Sequence, residues 1–122
     1  MTTEKVSRGE IWTVQLSGVG HEQQGSRPSL IISEDALNHS GFRLIIAIPI
    51  TSNVDRKLRT RVRLDPPEGG LDHPSAIMCE QILRLDIEGR LLSKLGTIRP
   101  STMVKVERVL ALLLGIIEPE YC

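Results

Sequence analysis

The chain has 122 residues, of which 40% are hydrophobic and 25% charged, proportions that exclude a disordered or fibrous protein and fit a single domain over residues 1–122. Its 15 Lys and Arg balance its 15 Asp and Glu, so any nucleic-acid site has to come from local charge and not from net charge. Only two cysteines are present and the N-terminus lacks the apolar core of a signal peptide, so we expect a cytoplasmic protein without disulfides.

Five segments have the pattern of β-strands, either a period-two alternation or a short β-branched run between turn residues. They are residues 10–16, 29–33, 44–50, 60–64 and 75–83. In the first segment Trp12 and Val14 alternate with Ile11 and Thr13, so the two sets face opposite sides of a sheet. Short turns join these strands, which favours a small antiparallel barrel over a parallel sheet.

The end of the chain has a helical period. A short helical turn is predicted at residues 87–94, and a longer amphipathic helix begins at Pro100 and ends near Gly115. The apolar positions of this helix are Met103, Val106, Leu110, Leu113 and Leu114. The predicted fold is therefore mainly β, with a C-terminal helix that closes the barrel.

Three segments carry more polar chemistry than a surface turn needs. They are the loop at residues 20–28, the strand end at residues 49–53, and residues 79–82. Strand ends of an antiparallel barrel can meet on one side of the molecule, and binding residues often lie on the loops there. We therefore expect the three segments to form one pocket.

At these positions the chain resembles the MazF/PemK-like ribonuclease toxins of type II toxin–antitoxin systems. The resemblance covers about residues 8–115 and depends on five motifs taken together: "RGEIW" at 8–12, "EQQGSRPSLIIS" at 22–33, "IPITS" at 48–52, "AIMCEQILRLD" at 76–86 and a closing "LGTI…LLLG". The Glu-Gln-x-Gly-x-Arg-Pro pattern before a strand is the most specific of them.

The resemblance implies a half-open antiparallel β-barrel of the Src-homology-3 type, the CcdB/PemK-like toxin fold. It also implies a homodimer, a cognate antitoxin partner, and sequence-specific cleavage of single-stranded RNA without a metal. The family residues most tied to cleavage correspond to Arg27 and Thr51, and the family position proposed for the base corresponds to Glu22.

RNA can be cut by attack of its own 2′-hydroxyl on the adjacent phosphorus, so the protein has to hold the phosphate, remove one proton and stabilise charge. A guanidinium has paired donors that match phosphate oxygens, which suits Arg27 for charge stabilisation. The hydroxyls of Thr51 and Ser52 can orient the phosphate. For the base, Glu22 and His21 both remain candidates.

Cofactors and metals are not expected. The three histidines, at positions 21, 39 and 73, lie far apart, and none of them has the spacing of a zinc motif.

Further polar residues of the same segments are candidates for RNA binding. These are Gln23, Gln24, Asn53 and Gln81, together with three cations of the run "DRKLRTRVRLD", Arg56, Lys57 and Arg59. A charge-rich run of this kind also protects an edge strand from aggregation, and the sequence leaves both interpretations open.

Two other functions stay open at this stage. CcdB-like toxins share the barrel and bind DNA gyrase without cutting RNA, but they depend on a Trp-Gly-Ile C-terminus, which this chain lacks. The remaining possibility is a member that binds RNA or an antitoxin without cleaving.

Overall fold

The computed structural model describes residues 5–16, 25–54 and 57–116. Within these residues the chain forms seven strands, two α-helices and one 3₁₀ turn. The strands are β1 (Glu10–Leu16), β2 (Gly25–Ile31), β3 (Leu44–Thr51), β4 (Arg61–Leu64), β5 (Ser75–Met78), β6 (Leu83–Asp86) and β7 (Leu91–Thr97). The helices are α1 (Asp35–Asn38) and α2 (Pro100–Leu113), and the 3₁₀ turn is Glu68–Gly70.

All strand pairs in the sheet are antiparallel, in the order β4-β5-β3-β2-β1-β7. Strand β3 is the centre: one of its edges pairs with β2, while the other pairs with β6 along its first half and with β5 along its second half. No pairing between β4 and β7 closes the sheet in the described residues, and α2 packs against β4. The expected half-open barrel with a C-terminal helix is confirmed.

Both faces of the sheet are buried. Ile11, with Leu30, Ile48 and Ile77, belongs to the cluster that α2 covers through Val106. The opposite cluster contains the other half of the period-two pattern, chiefly Trp12, Val14, Ile31, Ala47 and Leu85. Each fully buried side chain of this size contributes about 1.5–3 kcal/mol to folding, so the alternation in residues 10–16 fixes the register of β1.

Cys79 lies in the first cluster and is fully buried. Burial is the main cause that raises the pKa of its thiol to about 12, and the neighbouring charge of Glu80 adds to the effect. The thiol is therefore protonated at neutral pH and has no nucleophilic role.

Helix α2 begins at Pro100 and is followed by Gly115 at φ 69°, as predicted. Met103 and Val106 are buried, but the last predicted core positions are not, since Leu113 and Leu114 are 44% and 60% exposed. The C-terminal turn of α2 thus presents an apolar surface that none of the residues 5–16, 25–54 and 57–116 covers.

Several predicted boundaries were wrong. Residues 87–94 are not helical: a turn with Gly89 at φ 80° leads into β7, an edge strand whose side chains are mostly exposed and therefore do not alternate in hydrophobicity. The predicted strand 75–83 is two strands, because residues 79–82 leave the ladder with β3. Strand β2 begins at Gly25 and not at residue 29, since the residue before a proline favours an extended backbone and Arg27 precedes Pro28.

The 3₁₀ turn packs backbone against backbone on β7. A Cβ at Gly96 would lie 2.5 Å from the carbonyl carbon of Gly69, and a Cβ at Gly70 would collide with the carbonyl of Leu95. Gly70 also has φ 76°, a conformation that favours glycine. This close approach fixes the position of residues 71–75, which follow the turn.

Glu10 connects β1 to its surroundings. Its Oε1 accepts hydrogen bonds from the backbone N–H of Ser7 at 2.8 Å and from Trp12 Nε1 at 3.0 Å, and its Oε2 lies 2.8 Å from Lys94 Nζ on β7. Burial alone would raise the pKa of this carboxyl, but the bonds from Lys94, Trp12 and Ser7 outweigh burial and hold the pKa below its ordinary value.

A pKa lowered by folding predicts loss of stability in acid. The contribution of Glu10 is present above the pKa of the unfolded chain, about 4.3, and disappears as the pH falls through the lower folded value. Urea unfolding between pH 7 and pH 3 should therefore show a decreasing free energy of unfolding. Glu10→Gln should flatten part of this decrease, and an identical pH dependence in the variant would contradict the assignment.

No helix among the described residues is both long enough and apolar enough to cross a membrane.

Candidate active site

The ends of β2 and β3 form two walls of a cleft with a volume of about 290 Å³. Ser29 on β2 pairs with Pro49 on β3, and continuing this register by two residues places Arg27 level with Thr51. Both residues line the cleft, together with their neighbours at 26–28 and 50–52. The third wall is the segment 71–75, which was not among the predicted segments.

Arg27 is half-buried, with its guanidinium in the cleft. Its Nη1 donates to the carbonyl oxygen of Ile50 at 3.5 Å, the outer limit of a hydrogen bond. A contact this long is weak, so an anion in the cleft can compete for the donor. Arg27 is therefore placed to bind a phosphate.

Thr51 lies at the end of β3, and its hydroxyl orientation is set locally. The backbone N–H of Asn53 donates to Thr51 Oγ1 at 3.1 Å. A hydroxyl that accepts this bond still has its own hydrogen to donate. Thr51 can therefore donate to a phosphate oxygen while the turn through Ser52 and Asn53 holds its side chain in place. Ser52 lines the same cleft, and both Ser52 and Asn53 are exposed.

The third wall contributes Asp72 and His73. His73 Nδ1 lies 2.6 Å from Asp72 Oδ1, and both side chains are exposed at the cleft. The buried Ser75 donates from its Oγ to the carbonyl oxygen of His73 at 2.9 Å, which holds the segment at the start of β5. This pair was not among the predicted site residues, although "DHPS" is also a polar segment at the start of a strand.

Several predicted site residues fall on parts of the chain that the structure does not describe. These are His21, Glu22, Gln23, Gln24 and Arg56, which lie outside the described residues and stay predictions. Lys57 and Arg59 are described and exposed, but they do not line the cleft.

The prediction that Gln81 lies in a strand was wrong. It follows a turn in which its backbone N–H donates to the carbonyl oxygen of Met78, and it does not line the cleft. The turn is held by the carboxylate of Glu80, which accepts from Thr60 Oγ1 at 2.6 Å and from Arg61 Nη2 at 2.9 Å. Burial opposes ionisation of Glu80, but these bonds lower its pKa.

The basic run before β5 is partly neutralised within the chain. Arg61 pairs with Glu80, and Arg63 donates from Nε to Asp65 Oδ1 at 2.9 Å. These contacts favour the edge-protection interpretation for the two arginines on β4, the strand that ends the sheet.

Among residues 5–16, 25–54 and 57–116, no three His, Cys, Asp or Glu side chains come close enough together to hold a metal ion. The described walls of the cleft therefore present one guanidinium, hydroxyls and one histidine–aspartate pair. These groups can bind an anion and transfer a proton.

The fold is a small half-open barrel, and a cleft lined by Arg27 and Thr51 lies at its strand ends. Residues 7–114 match the family described as PemK-like, MazF-like toxin of type II toxin-antitoxin system. The chain belongs to this family, and the resemblance seen in its motifs is confirmed.

Two curated relatives have similar length. Endoribonuclease MazF of Staphylococcus epidermidis is 36% identical over 113 residues, which cover 91% of this chain and 92% of the relative. Endoribonuclease EndoA of Bacillus subtilis (strain 168) is 36% identical over 115 residues, which cover 93% of this chain and 97% of the relative.

The fold is also similar to solved structures. MazF (Form-I) from Deinococcus radiodurans superposes with a TM-score of 0.78 at 26% identity, over 92% of this chain and 98% of that one. An endoribonuclease in complex with its cognate antitoxin, from Mycobacterial species, gives a TM-score of 0.72 at 26% identity, over 96% of this chain and all of the other.

Proposed function

We propose that this chain is a metal-independent endoribonuclease toxin that cuts single-stranded RNA at specific sequences and is neutralised by a cognate antitoxin. The observation that carries the proposal is the level placement of Arg27 and Thr51 across one cleft. Support comes from family membership and from two relatives, each 36% identical, that are named endoribonucleases.

The cleft supports cleavage by attack of the 2′-hydroxyl. Arg27 and Thr51 hold the non-bridging oxygens of the scissile phosphate, and the guanidinium stabilises the charge that accumulates on them as the phosphorus becomes five-coordinate. The 2′-oxygen forms a bond to phosphorus, the bond to the 5′-oxygen breaks, and the products are a 2′,3′-cyclic phosphate and a 5′-hydroxyl.

Incubation of the purified protein with a long single-stranded transcript in EDTA tests this function. Cleavage should persist with the chelator, and the same sequence annealed to its complement should resist. Primer extension should locate the cuts, and end labelling should identify a 5′-hydroxyl on the downstream fragment. Cleavage that requires a divalent cation, or fragments with a 5′-phosphate, would contradict the mechanism.

The gyrase-binding alternative is not favoured, because the family match is to PemK-like, MazF-like toxins. A supercoiling assay with gyrase separates the two functions, and no inhibition is expected. We also place the protein in the cytoplasm, where its proposed substrate is found.

A protein partner is part of the proposal. Solved relatives include MazE-MazF from Deinococcus radiodurans, which is 26% identical to this chain with a TM-score of 0.74. Co-expression with a candidate antitoxin should yield a complex that no longer cuts RNA.

A homodimer is expected from the apolar surface at the end of α2. Leu112, Leu113, Leu114 and Ile116 are between 40% and 69% exposed, a concentration of apolar side chains that a second copy can cover. Light scattering should give about twice the chain mass of 13.6 kDa. Leu114→Glu should shift the protein toward the monomer, whereas a wild-type monomer at micromolar concentration would exclude this interface.

A further inference from the structure

We propose that His73 is the general base of RNA cleavage and that Asp72 is the positioning residue that orients it. The inference rests on the proposed function and goes beyond it, because neither residue belongs to the motifs that identify the family in this chain. The inference depends on the third wall of the cleft, because Asp72 and His73 line the same cleft as Arg27 and Thr51.

The carboxylate determines which ring nitrogen can accept a proton. An ionised carboxylate only accepts hydrogen bonds, so His73 Nδ1, 2.6 Å from Asp72 Oδ1, has to carry the hydrogen. In the neutral ring the lone pair is then on Nε2. His73 is therefore held in the tautomer that a base needs, and the same carboxylate stabilises the imidazolium after proton transfer.

The cleavage step balances with this assignment. His73 Nε2 takes the proton of the 2′-hydroxyl as the 2′-oxygen bonds to phosphorus, and the bond from phosphorus to the 5′-oxygen breaks. The leaving 5′-oxygen takes a proton from water. No oxidant, metal or cofactor enters the balance.

The ionisable groups that face His73 in the cleft are few. Asp72, on the same segment, contacts His73 Nδ1. Arg27, on β2, contacts the carbonyl oxygen of Ile50. Among the described lining residues these are the only other charged groups. The guanidinium is thus available for the phosphate and the imidazole for the proton, and the two groups belong to different walls of the cleft.

The backbone of this wall is held although its side chains are exposed. Ser75, 5% exposed, donates to the carbonyl of His73, and the preceding 3₁₀ turn packs on β7 through Gly70 and Gly96. His73 and Asp72 themselves are 74% and 92% exposed, and an exposed pair contributes little to folding. Substitutions at 72 and 73 therefore change the chemistry without unfolding the protein.

The first test is the pH dependence of cleavage. His73→Ala and His73→Gln should both lower kcat/KM by about 10²-fold, since an amide fills the space of the ring but cannot take the proton. Wild-type activity should fall toward acidic pH as the base becomes protonated, and this acidic limb should be lost in both variants. Glu22→Gln should keep the limb. A limb that persists in the His73 variants but disappears in Glu22→Gln would overturn the proposal.

Chemical rescue separates a proton acceptor from a structural side chain. Added imidazole should restore part of the activity of His73→Ala and none of the activity of Arg27→Ala. Asp72→Asn should lower kcat by about 10-fold with little change in KM, because an amide can donate as well as accept and no longer fixes the tautomer, and because it lacks the charge that stabilises the imidazolium. If imidazole rescues no activity and Asp72→Asn is fully active, Asp72 and His73 are surface residues without a role in cleavage.

A modified substrate tests which proton is transferred. In a short RNA that contains the mapped cleavage site with sulfur in place of the 5′-oxygen, the leaving group departs without an acid. The defect of His73→Ala should remain in full on this substrate. Recovery of wild-type rate would make His73 the acid and would overturn the assignment as base.

Failure of the inference is distinguishable from failure of the proposed function. If the wild type cuts RNA in EDTA while both His73 variants retain full activity, the function stands and the inference is wrong. If the wild type cuts no RNA, the proposed function itself fails.

Discussion

Replacement of Arg27 by alanine should lower RNA cleavage by about 10²-fold or more, as expected when a donor to developing negative charge is lost. The fold should not change, because the side chain is only half-buried and its described hydrogen bond, to Ile50, is long. The free energy of unfolding should stay within about 0.5 kcal/mol of the wild type. Cleavage rates and thermal unfolding of the same preparation provide the two measurements.

A matched control is available on β6. Arg84 is an exposed arginine that does not line the cleft, so Arg84→Ala removes the same charge from another part of the sheet. Its cleavage rate should remain close to that of the wild type. Equal losses in the two variants would show that general charge, and not the cleft, accounts for the effect of Arg27.

Thr51→Ala should have a smaller effect than Arg27→Ala, because Ser52 supplies a second hydroxyl to the same cleft. If one phosphate engages both side chains, the double variant should be scarcely worse than Arg27→Ala alone, since groups that act as a unit are not additive. Fully multiplicative losses would place the two residues on different parts of the substrate.

Gly96→Ala should be strongly destabilising. The new Cβ would lie 2.5 Å from the carbonyl carbon and 2.7 Å from the carbonyl oxygen of Gly69, and backbone atoms cannot move aside as a flexible side chain can. Overpacking of this kind costs about 3 kcal/mol or more, which lowers the thermal midpoint by roughly 10 °C. Cleavage should fall too, because the displaced 3₁₀ turn leads into the third wall.

Gly41→Ala is the control for this prediction. Neither Gly41 nor Gly96 has a positive φ, but no atom lies within 4 Å of the position that a Cβ would take at Gly41. Its stability should be unchanged or raised by up to about 1 kcal/mol. Similar destabilisation by both substitutions would mean that the crowding at β7 is not the cause.

The sequence predicted the strands and the helix whose side chains are buried on one face or on both faces. In β1 the alternation of Ile11 and Trp12 reflects two distinct cores, and the three- and four-residue steps of Met103 and Val106 reflect the buried face of α2. Strand β7 could not be predicted in this way, because an edge strand with exposed leucines has no alternation to detect. The break in pairing at residues 79–82 was also hidden, since buried Cys79 continues the apolar pattern of β5 through it.

The candidate site was predictable only in part for a similar reason. Arg27 comes three residues before the apolar run that starts at Leu30, and Thr51 directly follows Ile50, so the position of both residues at strand ends could be recognised. The third wall depends on a contact between distant segments, the packing of Gly70 and Gly96, which no local pattern encodes. His73 thus entered the sequence argument only as an isolated histidine.

Because Cys79 is buried, its reaction with a thiol reagent can report local opening of the folded protein. A thiol reagent can reach this sulfur only when the turn at residues 79–82 separates from α2 and β4, and the high thiol pKa makes reaction slow even then. In a Cys122→Ser variant, in which Cys79 is the remaining thiol, the labelling rate would therefore measure how often the barrel opens under native conditions. Comparison of that rate with and without RNA would show whether bound substrate suppresses opening of the core cluster that Cys79 shares with Ile50.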